Sequence, residues 1–242
     1  MFVDAGHGGI DPGGTGVTAS GRVITEAPVN LDVELDVMRL LTADGFRVVV
    51  SRTRNESVVR LTKQDVFDGT LSAEGVHNDV AARDICANLA RASILVGIYM
   101  DAGGSYEAGA VAGYDPDRSF ARANFRLATL LERDVLAAMN ARGWQIPDGG
   151  VQTDSGLGSV SVVGTSLASK AAAYDHLMLL GPADPGFFST PSRMPGAVIE
   201  PLFLTDPFEG SIAASAVGQH VIAAGIAHAV EQYFARRRRR VT

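Results

Sequence analysis

The stretch Phe2-Val3-Asp4-Ala5-Gly6-His7-Gly8-Gly9-Ile10-Asp11-Pro12-Gly13-Gly14-Thr15-Gly16 sets how the rest of the chain is read. A short apolar strand runs into a glycine-dense turn that presents one imidazole. Gly6, Gly8 and Gly9 permit positive φ and let a ligand approach the backbone. An imidazole on a tight turn just past a strand is well placed to bind metal. A structural turn with a solvated histidine carries the same residues, so the case for a site depends on what the later chain brings here.

Working outward, residues 27–44 place Leu31, Leu35, Met38 and Leu41 at helical spacing, and Gly45 follows as a stop. Arg47-Val48-Val49-Val50 reads as a buried strand, so the opening predicts a βαβ unit. A helix is expected over 79–91, followed by the near-continuous apolar strand Ser93 to Tyr99 that a sheet covered on both faces requires. Ala110 to Tyr114 is a further strand, Phe120 to Asn140 an amphipathic helix, Ala197 to Glu200 a last strand, and 217–234 a closing helix. Residues 55–78 and 143–193 read as insertions at the rim of a cleft, the second with possible strands near 159–163 and 176–180. The expectation is a single α/β domain over 1–235, a mostly parallel mixed sheet with helices on both faces, and a basic tail over 236–242.

Composition narrows the function. The 242 residues, 46% apolar, support a large core, and no apolar run reaches bilayer-spanning length. The net charge is −6 although Arg236 to Arg240 contribute +5, which leaves −11 on the rest. That acidic body argues against a nucleic-acid partner. A single cysteine, Cys86, excludes an intrachain disulfide and a thiolate zinc site. No export signal precedes the first strand. The serines at 155, 159, 161 and 166 lack a Gly-x-Ser-x-Gly elbow, and the Gly-rich turn lacks the Gly-Lys-Ser/Thr ending of a phosphate loop.

Four residues fall at element ends: His7 after the first strand, Glu26 before the first helix, Tyr99 at the end of the 93–99 strand, and Glu200 at the end of the last. In a mostly parallel sheet such ends share one edge, where ligands bind. Histidine and carboxylates gathered there are what metal-assisted hydrolysis uses, with one carboxylate free of the metal to take a proton from water.

At this point the sequence resembles a known family, the zinc-dependent N-acetylmuramoyl-L-alanine amidases. The resemblance rests on Asp4-Ala5-Gly6-His7-Gly8-Gly9, on Thr25-Glu26-Ala27-Pro28-Val29-Asn30-Leu31, on Val50-Ser51-Arg52-Thr53-Arg54 and Cys86-Ala87-Asn88, and on Met194 to Asp206. It implies hydrolysis of the amide between the lactyl group of muramic acid and L-alanine, a peptidoglycan or muropeptide substrate, and a location outside the cytoplasm or at the cell wall. It also implies a zinc ion on His7 and Glu26, with Glu200 as general base. Where the family reads Ser-Ile-His-Ala-Asn, this chain reads Gly97-Ile98-Tyr99-Met100-Asp101, so the third ligand position falls on Tyr99. Phenolate ligation by Tyr99 and substitution by Asp101, which shares a strand face with it, are both open. His77 is the outside candidate. The alternative function is a catalytically weakened relative that binds wall fragments or regulates a partner. His176 reads as a cleft residue satisfied by a partner, and His220 and His228 as surface positions.

Overall fold

The computed structural model describes residues 1–104, 107–157 and 167–238. In chain order its elements are β1 (Phe2–Ala5), β2 (Thr15–Val17), β3 (Val23–Thr25), α1 (Glu26–Ala43), β4 (Val49–Val50), β5 (Val66–Phe67), β6 (Thr70–Leu71) and α2 (Ala73–Leu89). There follow β7 (Leu95–Ile98), β8 (Ala110–Tyr114), α3 (Ala121–Asn140), β9 (Asp148–Thr153), α4 (Ala168–Tyr174), β10 (Gly196–Glu200), α5 (Pro207–Ala213) and α6 (Ala216–Arg238). Six strands form the main sheet in the order β4-β1-β7-β10-β8-β9. Neighbours among the first four run parallel, β8 runs antiparallel to β10, and β9 is parallel to β8. The expected α/β domain with a mostly parallel mixed sheet is what forms.

Strand alternation divides the core into two layers. Val3, Val96, Ile98, Ala197 and Ile199 pack with α1 (Val29, Val33, Val37, Leu41), α3 (Leu127, Leu131, Val135) and α6 (Ile222, Ile226, Val230). Phe2, Leu95 and Val198 pack on the other face with Ala87 of α2 and with Leu179 and Leu180 from the long insertion. This parity also places the site. Asp4, Tyr99 and Glu200 fall in the register of the second face, where α2 and the insertion leave space instead of core.

Several expectations shift. Helix α2 begins at Ala73, six residues before the expected 79, because the Ser72 hydroxyl caps Gly75 N at 3.1 Å. The strand expected over 47–50 pairs only through Val49 and Val50. Residues 176–180 form turns, not a strand, while β9 in the same insertion is a strand that Gly149 and Gly150 hide from an alternation reading. The strand expected near 159–163 lies outside the described residues. Helix α5, also unforeseen, starts where the Asp206 carboxylate caps Phe208 N and Glu209 N ahead of Pro207. Helix α6 carries the backbone on to Arg238, into the segment read as a tail. Among the described residues no single helix is long and apolar enough to cross a membrane.

Buried acids give the fold a pH signature. Burial, with the charge of Asp4, pushes the Glu34 carboxyl to about 8, and burial, with Asp148, takes Glu132 to about 8. Each is protonated in the native state near neutrality and ionised in the unfolded chain, whose carboxyls titrate near ~4.3. The unfolded state then binds fewer protons, so stability is lost as pH rises from there toward 8. The melting temperature of metal-free protein should fall between pH 5 and pH 8.5, and Glu34→Gln should flatten the decline. A melting temperature that climbs across this range would contradict the assignment.

Candidate metal-dependent active site

The turn after β1 is held in a demanding conformation. His7 has φ 62°, a left-handed value uncommon for residues with a side chain, and Gly8 and Gly9 follow at 141° and 64°. What fixes it is Arg83 of α2, 1% exposed in its side chain. Its guanidinium donates to Ala5 O at 2.6 Å and His7 O at 2.8 Å. It pairs at the same time with Asp4 Oδ1 at 2.8 Å and Asp79 Oδ2 at 2.7 Å. Arg52 adds bonds to Gly6 O at 3.2 Å and Ala27 O at 2.6 Å, and so ties the turn to the start of α1. Asn30 spans Gly6 O and Met100 N and couples the ends of β1 and β7.

With the turn fixed, His7 meets two carboxylates. Its Nδ1 lies 2.9 Å from Asp11 Oδ2 and its Nε2 3.2 Å from Glu26 Oε2. Glu26 is buried at the start of α1, and its other oxygen accepts Gly14 N at 2.6 Å. Burial opposes charge on the imidazole, but the two carboxylates prevail and push its pKa to about 10. Without a metal, a proton therefore bridges His7 and Glu26. Two ligands of one tetrahedral zinc stand roughly 3.4 Å apart for typical Zn–N and Zn–O lengths. The His7–Glu26 separation is close to that, so this pair can exchange its proton for a cation.

Glu200 and Asp101 lie beside the pair and line the same cavity of about 580 Å³, with His7, Asp11, Glu26 and Tyr99. Burial and then the charges of Asp101 and Glu26 drive Glu200 well above the usual carboxylate range, and it shares a proton with Asp101. Asp101 is raised too, first by burial and then by Glu26 and Glu107. Three carboxylates around one imidazole leave excess negative charge beside the His7–Glu26 pair, chemistry that suits a divalent cation there.

Tyr99, expected as the third ligand, is placed otherwise. Its hydroxyl donates to Asp4 Oδ2 at 3.2 Å, and its ring meets that of His7 at 78° with centroids 5.6 Å apart. Burial and the Asp4 charge hold the phenol well above its usual pKa, so it stays protonated. Gly6 makes room for that ring, since a Cβ there would fall 2.1 Å from Tyr99 Cε1. His77 is spent elsewhere as well, with Nε2 on Phe187 O at 2.7 Å. His220 and His228 are exposed partners of Asp36 and Asp134, as a surface position requires. His176 meets Asp115 and Asp154.

The sequence reading missed the positioning groups Arg83, Asp79 and Asp4. The one available signal was the i,i+4 pair Asp79–Arg83, which resembles an ordinary solvated helix pair until the helix is known to cover the His7 turn.

Comparison with known proteins follows the same line. The family model described as N-acetylmuramoyl-L-alanine amidase matches residues 1–232. A Buchnera aphidicola chain assigned to that amidase class is 33% identical over 64 residues, which are 26% of this chain and 25% of the relative. The match thus spans about a quarter of that curated relative. The CwlD amidase of Clostridioides difficile, solved with the GerS lipoprotein, superposes with TM-score 0.68 at 19% identity over 97% of both chains. The CwlV catalytic domain of Paenibacillus polymyxa var. colistinus gives 0.63 at 20% identity, also over 97% of both. The AmiC2 amidase of Nostoc punctiforme gives 0.62 at 19%, over 97% of this chain and 96% of its own. At these identities the structures share the fold.

Proposed function

Because this chain belongs to the N-acetylmuramoyl-L-alanine amidase family, we propose that it hydrolyses the lactyl–L-alanine amide of peptidoglycan or its fragments with the help of a zinc ion. His7 and Glu26 would hold the ion, and Asp101, which lines the same cavity, would supply the third donor in place of Tyr99. The observation that carries this reading is the meeting of His7, Glu26, Asp101 and Glu200 in one cavity at the strand ends. When bound, zinc supplies the Lewis acidity that polarises the carbonyl and brings the pKa of water toward ~7.

The side chains divide the remaining work. Asp11 accepts a hydrogen bond from the Nδ1–H of His7 and so leaves the Nε2 lone pair directed at the Glu26 side. Arg83 and Arg52 hold the turn against drift, which matters because reacting groups must keep near-contact geometry. Glu200 removes a proton from the attacking water as its oxygen bonds to the amide carbon. It then returns that proton to the nitrogen as the C–N bond breaks, leaving a lactyl carboxylate and a free L-alanine amine. Glu200 must be ionised to begin, and a cation beside Glu26 offsets the repulsion that keeps it protonated. Acting on peptidoglycan, the protein works outside the cytoplasm or at the wall.

Removal of metal is the first test. Hydrolysis of a muropeptide should vanish on dialysis against chelator and return with zinc, and zinc uptake at pH 7 should release protons, because His7 is protonated beforehand. Turnover that persists after exhaustive chelation would defeat the reading. One observation favours a second reading, a non-catalytic wall-fragment binder: Tyr99 stands at the implied histidine position with its hydroxyl committed to Asp4. That reading requires muropeptide binding without cleavage at any zinc concentration.

A further inference from the structure

A separate group of chelating side chains sits where the long insertion meets the sheet. Strands β8 and β9 run parallel with Tyr114 opposite Thr153. Asp115 and Asp154, the next residue on each, therefore emerge side by side. His176 reaches them from the turn after α4, where Asp175 at φ 52° reverses the chain. Its Nδ1 lies 3.1 Å from Asp115 Oδ2 and 3.4 Å from Asp154 Oδ2. One ligand atom from each residue falls within 4.8 Å of the others.

The second observation is that, apart from these His176 contacts, the buried atoms find no partner among the described residues. Asp115 is 0% exposed and Asp154 1%. Asp115 Oδ2, Asp154 Oδ1 and His176 Nδ1 are buried without a hydrogen bond among the described residues. The remaining oxygens are satisfied locally, Asp115 Oδ1 by Asp117 N at 2.6 Å and Asp154 Oδ2 by Leu177 N at 3.0 Å. Those bonds orient both carboxylates. Arg118 lies close enough to act on Asp115 electrostatically, but its guanidinium donates to Leu180 O, Gly181 O and Ser192 O. Burial raises both acids, and with Asp115 alongside it Asp154 reaches about 6. Two buried, adjacent carboxylates with vacant lone pairs are costly unless something neutralises both.

We propose that Asp115, Asp154 and His176 form a second metal site, which takes a zinc-like first-row divalent cation and fastens the insertion to the end of β8. One imidazole nitrogen with two carboxylate oxygens suits zinc and its neighbours, whereas magnesium and calcium favour six or more oxygens. The two N···O separations, 3.1 and 3.4 Å, lie at or just below the roughly 3.4 Å expected between ligands of a tetrahedral zinc. The role is structural. Leu177 N bonds to Asp154, and Tyr174, His176 and Leu177 line the cleft, so an ion here would fix that stretch of its wall.

The test compares zinc stoichiometry, by elemental analysis after desalting, with zinc-dependent melting temperature. His7→Ala should still retain zinc and melt higher with it, because the ion binds the native state selectively. Asp154→Asn/His176→Gln added to His7→Ala should abolish both effects while the circular dichroism of the metal-free protein stays unchanged. If the double change unfolds the chain, His176→Gln alone is read in its place. A His7→Ala protein with no zinc and no thermal shift overturns the second site. So does a triad variant that holds as much zinc as its parent. The reading of the His7 site fails separately, if wild type and His7→Ala hold equal zinc.

Discussion

Glu200→Gln should abolish amide hydrolysis while zinc content stays at the wild-type level. The substitution is nearly isosteric in a partly buried position, so packing at the end of β10 persists. Its amide can donate to Asp101, with which Glu200 now shares a proton. What disappears is the ability to take a proton from water and pass it to the departing amine. Loss of a positioned general base costs about 10²–10⁴ in rate. The loss should fall on kcat with KM little changed, since the role is exercised in the transition state. The pH profile of the wild type carries the same signature. Its acid limb should report ionisation of Glu200 and move to lower pH as zinc occupancy rises, because a cation offsets the neighbouring charge that raises this carboxyl. Retained turnover in Glu200→Gln would assign the proton transfer to another group.

The second large effect is a gain. Tyr99→His should tighten zinc binding by about 10–100-fold, the scale on which metal sites respond to lost or restored support. The tyrosine ring meets the His7 ring at 78°, and its hydroxyl is bonded to Asp4. A histidine at 99 is shorter and ends near the His7 ring, where its nitrogen can join Glu26. The cost is one hydrogen bond to Asp4, about 1 kcal/mol, and Asp4 keeps its pairing with Arg83. Equilibrium dialysis at buffered free zinc reads the difference. Weaker zinc binding in the variant would give Tyr99 a supporting role of its own through the Asp4–Arg83 network.

Legibility in the sequence followed physical range. Elements with a strong period over many residues, such as α3 and β7, could be read from local pattern, and so could the convergence of strand ends at His7 and Glu200. Strand parity was enough to put Tyr99 and Asp101 on one face. It was not enough to aim them, because the reach of a phenol relative to an imidazole depends on where Asp4 and Arg83 stand. Strand β9 was hidden because Gly149 and Gly150 carry no side-chain alternation, and β8 gave no local sign that it would run against β10. The grouping of Asp115, Asp154 and His176 was illegible for a different reason. It is created by the parallel pairing of β8 with β9 and by one left-handed residue, and neither is a property of any local stretch.

Glycine serves two different purposes in the turns of this chain. At His7 the backbone is strained and clamped by buried guanidinium groups, a cost that structures bear where geometry must be held. At Gly45, an added Cβ would meet nothing within 4 Å, and the residue serves only to end α1.

The most direct test of the central claim is mass spectrometry of the products formed when zinc-loaded protein is incubated with a muropeptide. The account predicts hydrolysis at one bond, giving a free lactyl carboxylate on the sugar and a stem peptide with L-alanine at its amino terminus, and neither product with Glu200→Gln. Intact muropeptide, or cleavage at a glycosidic or internal peptide bond, would contradict it.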